Sequence, residues 1–259
     1  MSENMDMSRL SKPHNRLMNL KPKMTLAYNW FMFRIFFAEL VASILVTLPA
    51  MLEDKSKKYE ALLVALSSGA AYYVSVWITY PTSAAHINPI VSFSVFMNRK
   101  IRIGHLIIYW SAQMLGCIFS TYLALYMAPY LQSNVKNCMT IPANGVSDAQ
   151  ALSLEIVISF TFILVYLSTI DDERPENWAL SSGVNMALAL MLIYTSNLMV
   201  SVPISGGSMN PFRSLAPSIL SKSFDRQWMF VVGPLTGAVG AVIVYDLLLM
   251  NVPVDEVEE

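Results

Sequence analysis

The sequence predicts an all-α membrane protein of six transmembrane helices plus two re-entrant half-helices, arranged as an inverted repeat. Three observations predict it. Of 259 residues, 55% are apolar and only 14% charged, and mean hydropathy is +0.48, whereas soluble domains run near a quarter charged. Six apolar stretches each have the roughly 20 residues that a helix needs to cross a bilayer core of about 30 Å. Two shorter segments, each opened by Asn-Pro, occupy matching places in the two halves of the chain.

The six stretches are residues 31–52, 61–80, 104–128, 151–170, 178–202 and 228–250. Residues 1–30 carry Arg9, Lys12, Arg16, Lys21 and Lys23 but no apolar core, so they read as a basic cytoplasmic tail and not as a cleavable leader. An even number of spans puts both termini on one side. The basic tail, joined by Arg99, Lys100 and Arg102 ahead of the third span, places that side in the cytoplasm. Residues 251–259 form an acidic cytoplasmic tail, and 31–250 form the membrane domain, with halves of about 31–128 and 151–250.

The half-helices are Ala85-His86-Ile87-Asn88-Pro89 with about ten following residues, and Gly206-Gly207-Ser208-Met209-Asn210-Pro211 with the residues to Leu220. Asn is a favoured N-cap and Pro suits the first helical position, where its missing N–H is not needed. About ten helical residues reach about 15 Å, half the hydrocarbon core. Each segment therefore enters the membrane, stops near the middle and leaves on its own side. Non-helical backbone at that depth is tolerated only where it lines a cavity or is buried in protein. Gly206-Gly207 supplies the conformational freedom such a loop requires.

The halves correspond in detail. Asn88 and Asn210 lie 122 residues apart, and Glu39 and Glu155, one in the first span of each half, lie 116 apart. Three spans per half is an odd number, so the second half runs inverted, and the two Asn-capped N-termini meet at the centre. A carboxylate at mid-membrane costs about 2.5–3.5 kcal/mol on insertion scales, so Glu39 and Glu155 need partners. Backbone N–H groups of the re-entrant loops are the expected ones. Gly116, Gly237 and Gly240 are expected to be close helix-packing sites.

Other function classes are disfavoured. Seventeen basic against 18 acidic residues, with no dense basic stripe, argue against nucleic-acid binding. Two cysteines and three histidines, without a C-x-x-C pair, suggest neither a metal site nor a cofactor. No set of nucleophile, base and orienting residue is visible, so an enzyme is not expected.

These residues resemble the aquaporin, or major intrinsic protein, family over essentially residues 31–250. The stretches Ala85-His86-Ile87-Asn88-Pro89 and Ser205-Gly206-Gly207-Ser208-Met209-Asn210-Pro211-x-Arg213-Ser214 carry the resemblance. Ala38-Glu39, Ala112-Gln113-x-x-Gly116, Glu155 with Thr161-Phe162, and Gly233-Pro234-x-x-Gly237-Ala238 support it. The family's Asn-Pro-Ala appears here as Asn-Pro-Ile (Ile90) and Asn-Pro-Phe (Phe212). The resemblance implies a channel passing water and small uncharged solutes, assembled as a homotetramer in the bilayer, here expected in the plasma membrane. Its pore centre is Asn88, Pro89, Asn210 and Pro211. Its selectivity filter is Ser68, Leu198, Gly207 and Arg213, with His86 supporting the first loop. That filter lacks the aromatic and the histidine of water-selective members and looks like those that pass glycerol or urea. The implied pathway is apolar, with polar contacts from the two Asn amides and from loop carbonyls at about residues 82–87 and 202–208. The half-helix dipoles and Arg213 repel protons and cations. The alternatives are a non-conducting adhesion protein of the same fold, with Ile90 and Phe212 closing the pore, and a coupled secondary transporter.

Overall fold

The computed structural model describes residues 25–52, 60–128, 131, 135–171 and 183–250. Eight α-helices are described. In the first half these are α1 (Thr25–Met51), α2 (Glu60–Ser83), the short α3 (Pro89–Met97) and α4 (Ile103–Met127). After a 3₁₀ turn at Val135–Cys138 come α5 (Asp148–Thr169), α6 (Gly183–Ser201), the short α7 (Pro211–Ser221) and α8 (Met229–Val244). A π-helical turn at Tyr245–Leu249 continues α8. The predicted architecture is thus observed. Five of the helices are long and apolar enough to cross a bilayer, and the sixth, α6, is apolar over Asn185–Ser201. The start of the fifth predicted span, residues 1–24 of the predicted N-terminal tail and the predicted C-terminal tail lie outside the described residues. The first span begins at Thr25, ahead of residue 31, because aromatic and apolar residues already run from Leu26 through Phe33. The second runs on to Ser83 through Pro81.

Local sequence explains the ends. Asn88 caps α3 and Asn210 caps α7, each with Pro as the first helical residue. Ser147 and Gln150 form a reciprocal capping box at the start of α5.

The halves pack as copies. α1 lies against α2 and α4, and α5 lies against α6 and α8. α2 and α6 form the seam between the halves, and each half-helix also crosses over, α3 onto α8 and α7 onto α4. Close approach in the mirrored pairs depends on glycine. A Cβ on Gly116 would sit 2.7 Å from the Leu40 carbonyl and 2.7 Å from Ser43 Cβ. One on Gly237 would collide with the Ile156 carbonyl and stand 3.0 Å from Ser159 Cβ, the same two positions in the second half. Gly240 does not share this role: its nearest neighbour, Phe160, would be 3.5 Å from a Cβ, ordinary van der Waals contact. Gly69 is a third close site, on the α2–α6 seam, where a Cβ would collide with the Thr195 side chain.

The outward faces are apolar. Trp30, Phe33, Phe37, Val41 and Leu45 form one exposed stripe on α1, and Ile107, Leu115, Phe119, Tyr122 and Tyr126 are exposed on α4. Such an extent of exposed apolar surface marks a membrane or subunit interface and not a water-facing one. Hydroxyls, amides, Glu39, Glu155 and Arg213 are turned inward.

Candidate functional site

The site is built by two loops that dive to the centre of the bundle. Both bend through left-handed backbone at the same three places. Ala84, Ala85 and Ile87 have φ of 60°, 50° and 62°, and their counterparts Gly206, Gly207 and Met209 have 92°, 64° and 46°. Left-handed geometry is uncommon outside glycine and unfavourable for a β-branched residue such as Ile87. It persists only where the surroundings fix it.

The two buried carboxylates fix it. Glu39 Oε1 accepts from Ser83 Oγ at 2.6 Å and from the His86 N–H at 2.9 Å; its Oε2 accepts from the Ile87 N–H at 2.6 Å and from Gln113 Nε2 at 2.8 Å. Glu155 Oε1 accepts from Ser205 Oγ at 2.7 Å and from the Ser208 N–H at 2.9 Å, and its Oε2 accepts from the Met209 N–H at 2.9 Å. The loop N–H groups expected as partners are the partners found. A carboxylate is an acceptor only, so it suits a cluster of converging donors. The first copy has an extra donor, Gln113; Pro234 stands at the corresponding place in the second.

With the loops tied, the half-helices meet. Asn88 Oδ1 accepts from the Ile90 N–H at 3.2 Å, and Asn210 Oδ1 from those of Phe212 at 3.0 Å and Arg213 at 3.2 Å. Asn88 Nδ2 then donates across the junction to the Met209 carbonyl at 2.8 Å. The two asparagine amides differ in what they bond. One Asn88 N–H is committed to the opposite loop, while the Asn210 amide nitrogen has no protein acceptor among the described residues. Ile90 is fully buried in the main core. Phe212 turns its ring edge-on to Trp110, centroids 6.0 Å apart, and Trp110 Nε1 donates to the Pro89 carbonyl at 3.1 Å. The bulk of Phe212 is thereby packed against α4.

Behind each Asn a polar pair repeats. His86 Nδ1 lies 3.1 Å from Ser92 Oγ, and the counterparts Ser208 and Ser214 lie 2.7 Å apart through their hydroxyls. His86 also stacks on Tyr109 at 4.1 Å, which fits a loop-supporting histidine. Arg213 is 5% exposed and donates to the Thr140 hydroxyl and, at 3.2 Å, to the Ala50 carbonyl. No carboxylate pairs with it among the described residues, so its charge is directed by neutral acceptors. Of the other positions expected in a filter, Gly207 and Leu198 adjoin: a Cβ on Gly207 would stand 3.0 Å from Leu198 Cδ2. Ser68 is fully buried on α2, one turn before Tyr72, and its hydroxyl has no protein partner among the described residues.

The loop carbonyls divide unevenly between the two loops. In the first loop the Ser83 carbonyl accepts from Tyr109 Oη, that of Ala84 from Tyr166 Oη at 3.2 Å, and that of Ile87 from Ser43 Oγ at 3.3 Å. In the second loop the carbonyls of Ser205, Gly206, Gly207 and Ser208 have no protein donor among the described residues. Tyr109, Tyr166 and Thr140 were not anticipated from the sequence. The two tyrosines have no repeat partner of their own kind, and Thr140 lies in the segment joining the halves. The serine pairs could have been found, because the 122-residue offset that relates Asn88 to Asn210 also relates Ser83 to Ser205 and Ser92 to Ser214.

The sequence model of the Major intrinsic protein family matches residues 27–245. The chain belongs to this family. A member of the family is a membrane channel for water and small solutes, not an enzyme, and it resides in the bilayer as an integral protein. This major intrinsic protein is 33% identical to aquaporin TIP2-3 of Zea mays over 185 residues, 70% of each chain. It is 31% identical to aquaporin TIP2-1 of Arabidopsis thaliana over 188 residues, 73% of this chain and 72% of the relative. Its fold matches that of the aquaglyceroporin from Plasmodium falciparum with a TM-score of 0.73 at 21% identity, covering 86% of this chain and 97% of that one.

Proposed function

We propose that water and small uncharged solutes, glycerol and urea among them, cross this protein in file between the two loops. In this reading Asn88 and Asn210, with Pro89 and Pro211, form the centre, and Ser68, Leu198, Gly207 and Arg213 form the outer filter. The observation that carries it is the Asn88–Met209 bond between loops that Glu39 and Glu155 hold in mirrored shapes. It supports two helix N-termini converging at one point, where their positive ends disfavour cations. The four carbonyls of residues 205–208 and the Asn210 amide offer replacements for the hydrogen bonds that a solute loses on leaving water. Each bond lost without replacement costs about 2–7 kcal/mol.

Ser68 and Gly207 are small and Leu198 offers no hydrogen bond, which leaves an apolar side for a carbon backbone, while Arg213 can donate to hydroxyls on the other. Swelling of proteoliposomes tests this. The unmodified protein is expected to carry water and glycerol. Ser68→Phe combined with Leu198→His is expected to suppress glycerol and spare water. Equal glycerol flux before and after that change contradicts the filter assignment.

The basic residues of the N-terminal tail favour cytoplasmic termini, and we place the protein in the plasma membrane. A fluorescent fusion retained on an internal membrane contradicts the location and leaves the channel reading untouched. Assembly as a homotetramer, with one pathway per chain, is supported by membership of the family.

A further inference from the structure

We infer that the turn joining α3 to α4 holds the headgroup of an anionic phospholipid on Arg99 and Arg102, with the acyl chains lying along the exposed face of α4. The site lies outside the pathway proposed above and does not depend on the channel reading; it requires only that the helices stand in a bilayer.

The turn opens onto a shallow groove of about 490 Å³, lined by Phe96, Met97, Arg99, Ile101 and Arg102. Three of these residues are apolar, with Ile101 buried and Phe96 and Met97 half-buried. Both arginines are exposed, and neither has a carboxylate partner among the described residues. The polar groups around them are committed elsewhere, and their bonds fix the turn. Asn98, with its amide nitrogen turned toward Asp246, donates to both carboxylate oxygens, at 2.9 and 3.1 Å. Lys100 Nζ donates to the Ile170 carbonyl at 2.9 Å, and Tyr245 Oη to Asp171 Oδ2 at 2.7 Å. Asp171 and Asp246 are thus engaged with Tyr245 and Asn98, while Arg99 and Arg102 are left for an anion from outside the chain.

The backbone points the same way. α3 ends in a Schellman turn: the Arg99 N–H donates to the Phe96 carbonyl at 2.9 Å, and the Lys100 N–H to that of Val95 at 3.0 Å. The turn sets Arg99 at φ 57°, the left-handed position that glycine fills with least strain. An arginine held there gives up backbone ease, and a departure of that kind points to a task for the side chain.

The chemistry selects a phospholipid. A guanidinium matches a phosphate with paired N–H donors. The Asn98–Asp246 contact puts the turn on the side where α8 ends, the proposed cytoplasmic side, where anionic lipids collect. The outward stripe of α4 begins directly after Arg102: Ile103 and Ile107, four apart and so one above the other, are each 58% exposed, and Leu115 and Phe119 continue the stripe. A soluble acidic segment would use the arginines alone. A lipid uses the arginines and the stripe together.

Native mass spectrometry of the full chain in detergent tests the site, with palmitoyl-oleoyl phosphatidylserine and phosphatidylcholine titrated in turn. A basic side chain at an anionic membrane surface is worth about fivefold in binding. The unmodified protein is therefore expected to hold one phosphatidylserine per chain with a preference over phosphatidylcholine of about twenty-fivefold. Arg99→Gly is expected to cut that preference to about fivefold, and Arg99→Gly/Arg102→Gln to remove it, with phosphatidylcholine binding unchanged. Because glycine suits the left-handed position, Arg99→Gly is also expected to keep or raise the thermal unfolding midpoint, so its loss of lipid is not a loss of fold. Lys222 ends α7 in the same left-handed conformation, at φ 52°, and the next basic residue, Arg226, is paired with Asp148 at 2.7 Å. Lys222→Gly is therefore the matched control and is expected to leave the preference unchanged. A preference that survives in Arg99→Gly/Arg102→Gln overturns the inference, and so does one lost equally in Lys222→Gly. If the double variant does not fold, Arg99→Gly alone decides on the same terms. Displacement of phosphatidylserine by an equal concentration of glycerophosphoserine, which has the headgroup and no acyl chains, marks a soluble-anion site and overturns the inference. A preference seen only after removal of residues 251–259 marks the acidic tail as the occupant, and one seen only in single chains marks a contact between copies; either overturns it. Failure of the channel reading leaves all of these outcomes unchanged.

Discussion

Asn88 and Asn210 have the same residue type, the same cap and the same following proline, yet different duties. Asn88 spends an amide N–H on the Met209 carbonyl and so holds the junction together. The Asn210 amide nitrogen has no protein acceptor among the described residues, and in the reading proposed above it serves the pathway. Asn210→Asp replaces that amide with a carboxylate at two positive helix ends. It is expected to lower water flux and to open a cation leak, read as ionic current in planar bilayers; normal flux without leak contradicts the role given to Asn210. Glu155 makes a second prediction. Glu155→Gln substitutes an NH₂ for an oxygen that faces loop donors, orphaning at least one N–H. Each orphaned group costs about 1–3 kcal/mol, so a lower thermal unfolding midpoint and reduced conduction are expected together. A variant with unchanged stability and flux contradicts the anchoring role.

At the scale of elements, the inverted repeat made most of the fold readable. The half-helices were legible from Asn-Pro with too few apolar residues to span, and the Glu39 and Glu155 partnerships from the cost of a charge at that depth. What was not legible lies outside the repeat. Tyr109 and Tyr166 cap first-loop carbonyls that their second-loop mates leave open, and Thr140 receives Arg213 from a connecting segment with no counterpart. The spacing of Gly240 from Gly237 matches a packing motif, but Gly237 faces the backbone of α5 and Gly240 does not. The contrast is testable. Gly237→Ala forces α8 from α5 and is expected to destabilise by about 1–3 kcal/mol, as overpacking does. Gly240→Ala is expected to be neutral. Equal thermal shifts for the two would contradict the seam described here.

For the whole molecule, a set of buried polar groups that includes Glu39, Glu155 and Arg213 sits within an apolar core, while large apolar side chains also face outward, as a bilayer requires. The exposed stripes on α1 and α4 must meet either lipid or a neighbouring copy. A homotetramer is expected in detergent, and light-scattering mass of the protein component checks it; a monomer that conducts separates assembly from function. In the proposed reading, the paired Glu-anchored loops make exclusion of charge a property of the fold, and the ring of filter side chains sets which neutral solutes pass.

The central claim is that this one pathway conducts neutral molecules and rejects ions. Water permeability and proton leak, recorded together in proteoliposomes carrying a pH-sensitive dye, test it most directly. Water flux well above that of empty vesicles, with proton leak at the empty-vesicle level, is the predicted result. Water flux no greater than in empty vesicles, or water and protons rising together, would contradict it.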